Sequence, residues 1–204
     1  MGNPRRVGLP FCAISKNGVY APPRLVIGDG HLGIWAGLRN GSPEVEEQRC
    51  WNHKTLNVLE KIPKGQQATA RALVCQIPYA ETVREAERRR EQFGHWCRHR
   101  GYDQAADCLT KDWDRMLTFY RFPKAHWQHL RTTNPVESPF AAARLRTDAA
   151  NRFKKVANAT AVIWKMLMVA EQAFRCVKHP ELMPAVFRGM TCENGVAIKP
   201  EVAA

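Results

Sequence analysis

Apolar positions follow three different rhythms along this chain. Arg24 to Gly30 holds a short continuous apolar run, Leu25-Val26-Ile27, closed by an acid and a glycine. Such a run suits a buried strand whose carboxylate, Asp29, emerges at its C-terminal edge. Leu32, Ile34, Trp35 and Leu38 then have the spacing of a short helix, which Gly41-Ser42-Pro43 breaks. Gln48 to His53 reads as a second strand feeding a helix, with Leu56, Leu59 and Ile62 on its inner face and Pro63-Lys64-Gly65 as its stop. From about 65 to 128 the period becomes helical, with Val83, Ala86, Phe93 and Trp96 in one segment and Leu109, Trp113, Met116, Leu117 and Tyr120 in another. A helix opens near Asn134. The last long one, 157–177, is apolar on most sides, which predicts burial. The whole predicts an α+β chain that is mostly helical. Residues 1–21 read as an irregular leader, and the part after Pro180 is poorly patterned.

The 204 residues suffice for one ordinary domain with an inserted subdomain. The longest apolar run, 159–170, contains Lys165 and is short of the roughly 20 residues a bilayer requires, so no membrane span is expected. Arg5 and Arg6 are followed by no apolar signal core, which predicts a cytoplasmic chain. Seven scattered cysteines, none two residues from another, argue against a disulfide framework. The formal net charge of +12 changes the picture more, because it gathers in 84–100, 121–131 and 144–155. Such clusters suit a polyanion. Glu81, Glu85, Glu87 and Glu91 offset the first cluster, and the last two have fewer acidic neighbours.

Within that basic region lies Leu130-Arg-Thr-Thr-Asn134-Pro135-Val136-Glu137. Asn134 can cap a helix, Pro135 suits its first position, and Glu137 stands three residues past the cap. A glutamate there can accept the cap residue's own N–H in a capping box. It can also present a carboxylate to a metal beside a phosphate, and the local pattern leaves both uses open.

Taken together, Leu25-Val-Ile-Gly-Asp29-Gly-His-Leu-Gly-Ile-Trp35, Gln48-Arg-Cys50-Trp-Asn-His53-Lys54 and Phe122-Pro-Lys-Ala-His-Trp-Gln-His-Leu-Arg-Thr-Thr-Asn-Pro-Val-Glu137-Ser138 have their own likeness. In order and spacing they resemble the Mutator-type bacterial insertion-sequence transposases, over about residues 22–190. The resemblance implies an RNase H-like core, here partial, in which an Asp-Asp-Glu triad holds magnesium for DNA cleavage and strand transfer. Asp29 would be its second Asp and Glu137 its Glu. They are 108 positions apart (137 minus 29), and the family's all-helical insertion, at about 65–128 here, accounts for the excess. Cys50 and His53 match a family signature whose role stays open. Two hard cations held by carboxylates can activate a nucleophile and steady a leaving oxygen, while Arg131, Arg144, Arg146, Lys154 and Lys155 would hold the DNA backbone. The implied partners are double-stranded DNA at element ends and an intact transposase or a second copy of the chain.

One departure from the family is plain: no Asp precedes Asp29. The expectation is therefore the C-terminal part of a transposase, 22–190, behind an unrelated leader, 1–21, and before a tail, 191–204, with no cleavage activity alone. The strand at 24–29 would also lack its neighbour, and a bare apolar edge invites aggregation or a partner. Two alternatives use the same residues. A non-catalytic DNA-binding remnant shares them all, and Trp127 is then the tryptophan best placed to stack on a base. A zinc-dependent module would join Cys50 and His53 to His95, Cys97 or His99, although the latter three point in different directions on a helix.

Overall fold

The apolar run at 25–27 forms a strand because a parallel partner covers it. In the computed structural model, which describes residues 13–14, 20–150, 152–172, 174 and 176–198, β3 (Leu25–Gly28) pairs in parallel with β4 (Glu46–Arg49). Helix α1 (Leu32–Gly41) makes the crossover between them, as a parallel pair requires. Trp35, Leu38 and Val45 are buried under this unit, with Val26 and Ile34 against them. Gly28 is fixed by that packing, since a Cβ there would stand 2.9 Å from the Trp35 ring. Upstream, β1 (Ala13–Ile14) and β2 (Tyr20–Ala21) form a short antiparallel pair. The rest of the expected leader lies outside the described residues. Among those residues no third strand joins β3 and β4.

The second strand is placed differently from the sequence reading. It ends at Arg49, and Cys50 is already the cap of α2 (Trp51–Leu59), so Cys50 to His53 are a helix start rather than a strand. Leu59 and Ile62 are buried as expected, but Leu56 faces solvent.

The main core lies in the helical block, not under the sheet. Helices α3 (Gln67–Val74), α4 (Val83–Arg98), α5 (Asp103–Thr110), α6 (Trp113–Leu117) and α7 (Trp127–Leu130) gather around α2. Val58, Val74, Ile77, Phe93, Leu109, Met116 and Phe119 are all buried there. This fulfils the reading of 65–128 as helical, but the segment expected from Leu109 to Tyr120 is divided: Asp112 takes a left-handed backbone (φ 60°) and separates α5 from α6. Gln48, wholly buried on β4, joins the sheet to the block. Its amide donates to the carbonyls of Arg49 (2.8 Å) and Met116 (3.2 Å) and accepts the Phe119 N–H (2.8 Å). Trp51 Nε1 donates to the same Met116 carbonyl, at 3.0 Å.

Two later elements depart from expectation. Helix α8 (Asn134–Ala149) packs on α9 (Val156–Glu171), yet α9 buries none of its residues, and Trp164 is 65% exposed. Its apolar composition predicted burial, but among the described residues α8 is its main partner, and one partner covers only one face of a helix. The tail holds a hairpin, β5 (Cys192–Glu193) and β6 (Val196–Ala197), turned on Asn194-Gly195, while 199–204 lie outside the described residues. Asn194 Oδ1 accepts the Val83 N–H at 2.8 Å and so completes the α4 cap that Thr82 begins. Gly195 exchanges backbone bonds with Tyr120 and Lys124. Helix α10 (Met183–Phe187) precedes the hairpin. Among the described residues no helix is long and apolar enough to cross a membrane.

Gly195 has φ +80°, and a Cβ there would lie 2.7 Å from Lys124 Cβ and from the Trp127 ring. Gly195→Ala should therefore cost about 2 kcal/mol in a denaturant titration; an unchanged midpoint would show that the hairpin does not dock this way.

Lys54 is buried, and its ammonium donates to the Lys111 carbonyl. Burial first, then the Arg49 charge, lower its pKa from 10.5 to about 8. The cost of its charge is thus full below pH 8 and is relieved as pH rises toward 10.5. Burial pushes the Cys97 thiol up to about 11, an opposite effect at high pH, so the comparison must be with a variant. Relative to Lys54→Met, wild-type stability should increase across pH 8 to 10.5, as unfolding curves at both ends of that window would record.

Candidate active site

Asp29 follows the last residue of β3, and the turn that carries it is set by its neighbours. Its Oδ1 accepts the His31 N–H at 2.8 Å, and His31 Nδ1 accepts the Gly33 N–H at 3.1 Å to cap α1. Gly30 between them has φ +99°, and a Cβ there would meet the Arg49 guanidinium at 2.7 Å. Arg49 pairs with Asp112, and Arg115 pairs with Glu47 at 2.6 Å. The Asp29 side chain is otherwise exposed.

Glu137 lies in the first turn of α8, and here the cap differs from the sequence reading. Thr133, not Asn134, occupies the cap position. Its N–H goes to the Cys50 sulfur at 3.3 Å, so Glu137 does not close a capping box. The Thr133 hydroxyl stands 3.2 Å from the same sulfur and also reaches the Glu137 carboxylate. It has one proton to give, and a carboxylate is the stronger acceptor. His53 Nδ1 lies 3.8 Å from Glu137 Oε1. Asn134 is engaged elsewhere, with its Oδ1 accepting from Asn52 Nδ2 at 2.7 Å.

Cys50 therefore stands between the two acids. Its N–H donates to the Gly28 carbonyl (2.7 Å), one residue before Asp29, and its sulfur takes the first N–H of the Glu137 helix. Next to it, the Trp51 N–H donates to the Arg131 carbonyl at 2.9 Å. Cys50 and His53 thus have a physical role here: the cysteine ties the start of α8 to the end of β3, and His53 is turned to the carboxylate. Sequence reasoning marked Cys50 and His53 but missed Thr133 and Arg49. The doubled threonine before Asn134-Pro135 was the available signal for a cap at 133.

The expected DNA-binding cations are dispersed. Arg144 and Arg146 are exposed on α8, and Lys154 and Lys155 are exposed in its connection to α9. None of these four has an acidic partner among the described residues. The 121–131 cluster is more neutralised than its composition suggested, since Arg121 pairs with Glu46 (3.1 Å) and Lys124 with Glu81. Glu85 pairs with Arg88 and Arg89 at 2.7 and 2.8 Å, as the mixed charges of 84–100 predicted. Arg131 is half-buried against aromatic rings. Trp127 cannot stack on a base as expected, because it is buried and packs edge-on against Phe119 and Tyr120.

The metal donors do not form a complete set. Asp29 and Glu137 offer hard oxygens, but among the described residues no three acidic, histidine or cysteine side chains come together to hold a metal. The zinc alternative fares no better: Cys50 and Cys97 are wholly buried, while His95 and His99 are exposed.

Comparison with known proteins decides the lineage. Residues 15–176 match the family model described as "Transposase, Mutator family". The chain belongs to the Mutator family of transposases. That match begins inside the segment expected to be an unrelated leader. The Mutator-family chain is 37% identical over 183 residues to the transposase for insertion sequence element IST2 of Acidithiobacillus ferrooxidans, covering 90% of this chain and 62% of that protein. It is 38% identical over 180 residues to the transposase for insertion sequence element IS6120 of Mycolicibacterium smegmatis, covering 88% of this chain and 55% of that one. It thus spans less than two thirds of the length of these relatives.

The Thr133 hydroxyl is the direct link from the Cys50 junction to Glu137. Thr133→Val should lower unfolding stability by about 1 kcal/mol, and Thr133→Ser should restore it. Equal denaturation midpoints for all three would refute the link.

Proposed function

We propose that this chain serves the transposition of an insertion element by magnesium-dependent DNA cleavage and strand transfer, contributing Asp29 and Glu137 to an RNase H-like centre. The observation that carries the reading is the Cys50 junction, in a chain of transposase lineage. It joins a strand end bearing one acid to a helix start bearing another. Two acids from separate elements are what a metal-assisted phosphoryl transfer draws upon. The cations Arg144, Arg146, Lys154 and Lys155, without acidic partners among the described residues, extend from the same helix and its connection to α9, and suit a DNA backbone.

The described residues assemble no third ligand, so one further acid is needed to complete the centre. An intact transposase or a second copy is one source of it, and the edge of β3, which has no strand beside it among the described residues, is a place for a donated strand. A non-catalytic DNA-binding role uses the same cations, and activity is what separates it. The purified chain with magnesium should bind DNA carrying element ends and leave it unnicked, by gel assay. Nicking that Glu137→Gln abolishes would overturn the claim of incompleteness and keep the assignment of Glu137.

A further inference from the structure

Among the described residues, one half-buried cation, Arg131, lacks both an acidic partner and an acceptor for its buried Nε. The Arg131 guanidinium lies 4.6 Å from the Tyr79 ring centre, 5.2 Å from Phe119 and 5.6 Å from Trp127. Aromatic rings cover the flat faces of a guanidinium but leave the N–H groups along its edge unsatisfied. Among the described residues those groups have no acceptor, no carboxylate pairs with the charge, and Nε is buried without a partner. A half-buried cation left in this way is costly unless an anion completes it.

Arg131 lines a cleft of about 320 Å³ with Tyr79, Lys124, Trp127, Lys178 and His179. Three permanent cations there face one acid, Glu81, which Lys124 engages. The planar donor fork of arginine fits a phosphate through two parallel bonds. The cleft is also fixed relative to the acids. The Arg131 carbonyl holds the Trp51 N–H, and Thr133, two residues on, caps the Glu137 helix.

We propose that this cleft is a phosphate-binding site with Arg131 as its principal donor, and that its ligand is a backbone phosphate of DNA lying alongside the Glu137 helix. The proposal rests on the DNA-directed role given above. It assigns Arg131 a single seated phosphate, unlike the open cations of α8.

The test is the binding of a short fluorescent duplex to the full chain across a salt series, with inorganic pyrophosphate as a second probe. Arg131→Gln should weaken duplex binding roughly tenfold and reduce the slope of log affinity against log salt by about 0.9. Because Arg131 also packs on rings, Lys178→Gln, at an exposed residue, is the second variant and should reduce the slope without changing the melting temperature. Both variants matching wild type in slope and affinity would overturn the site. Pyrophosphate binding that depends on Arg131, with duplex binding that does not, would overturn DNA as the source of the phosphate. A wild-type chain that binds no duplex would sink the DNA role itself, and dependence of pyrophosphate binding on Arg131 would then decide the cleft separately.

Discussion

The β4–α2 junction is the constraint from which the rest of the molecule is organised. Over six residues, Gln48 to His53, a buried amide satisfies the helical block, a backbone N–H closes on β3, and a sulfur and an imidazole meet the start of α8. A buried amide left unpaired costs more than a formed bond gives, so Gln48 can occupy the interior only if the chain at 116–119 stays in register with β4. That requirement places the helical block, and the block in turn places Arg131 and Thr133.

Charge is arranged around the same junction. Arg49 closes over Gly30 and pairs with Asp112, which takes up the left-handed turn between α5 and α6. Lys54 lies one turn further along α2, buried near Arg49, and ends on the Lys111 carbonyl. Two buried or half-buried cations close together are expensive, and a single acid, Asp112, faces both. The Cys50 and His53 pair thus sits within a wider polar system. It links the Asp29 turn, the helical block and the Glu137 helix, which lie far apart along the chain.

Local elements were legible because their signals are local. The apolar run before Asp29, the helical spacing of 65–128 and the helix bearing Glu137 all formed, within a few residues of their expected bounds. What misled was composition without partners. Helix α9 is apolar enough to read as buried, yet among the described residues its main partner is α8, which leaves much of it exposed. Trp127 sits among basic residues yet belongs to the core. The tail read as unpatterned because its two strands have two residues each, and what holds them is the docking of Asn194 and Gly195 on 83, 120 and 124.

The family, the two acids and the basic clusters were written in the chain itself, since residue identity and spacing carry them. Which donors meet was a matter for tertiary packing. The folded chain gives the Thr133 N–H to Cys50 instead of to Glu137, turns His53 toward the carboxylate, and lays Arg131 across three rings. Such pairings join residues as far as 84 positions apart, 137 minus 53. No periodicity encodes them, because each depends on where the packed helical block sets one chain segment against another.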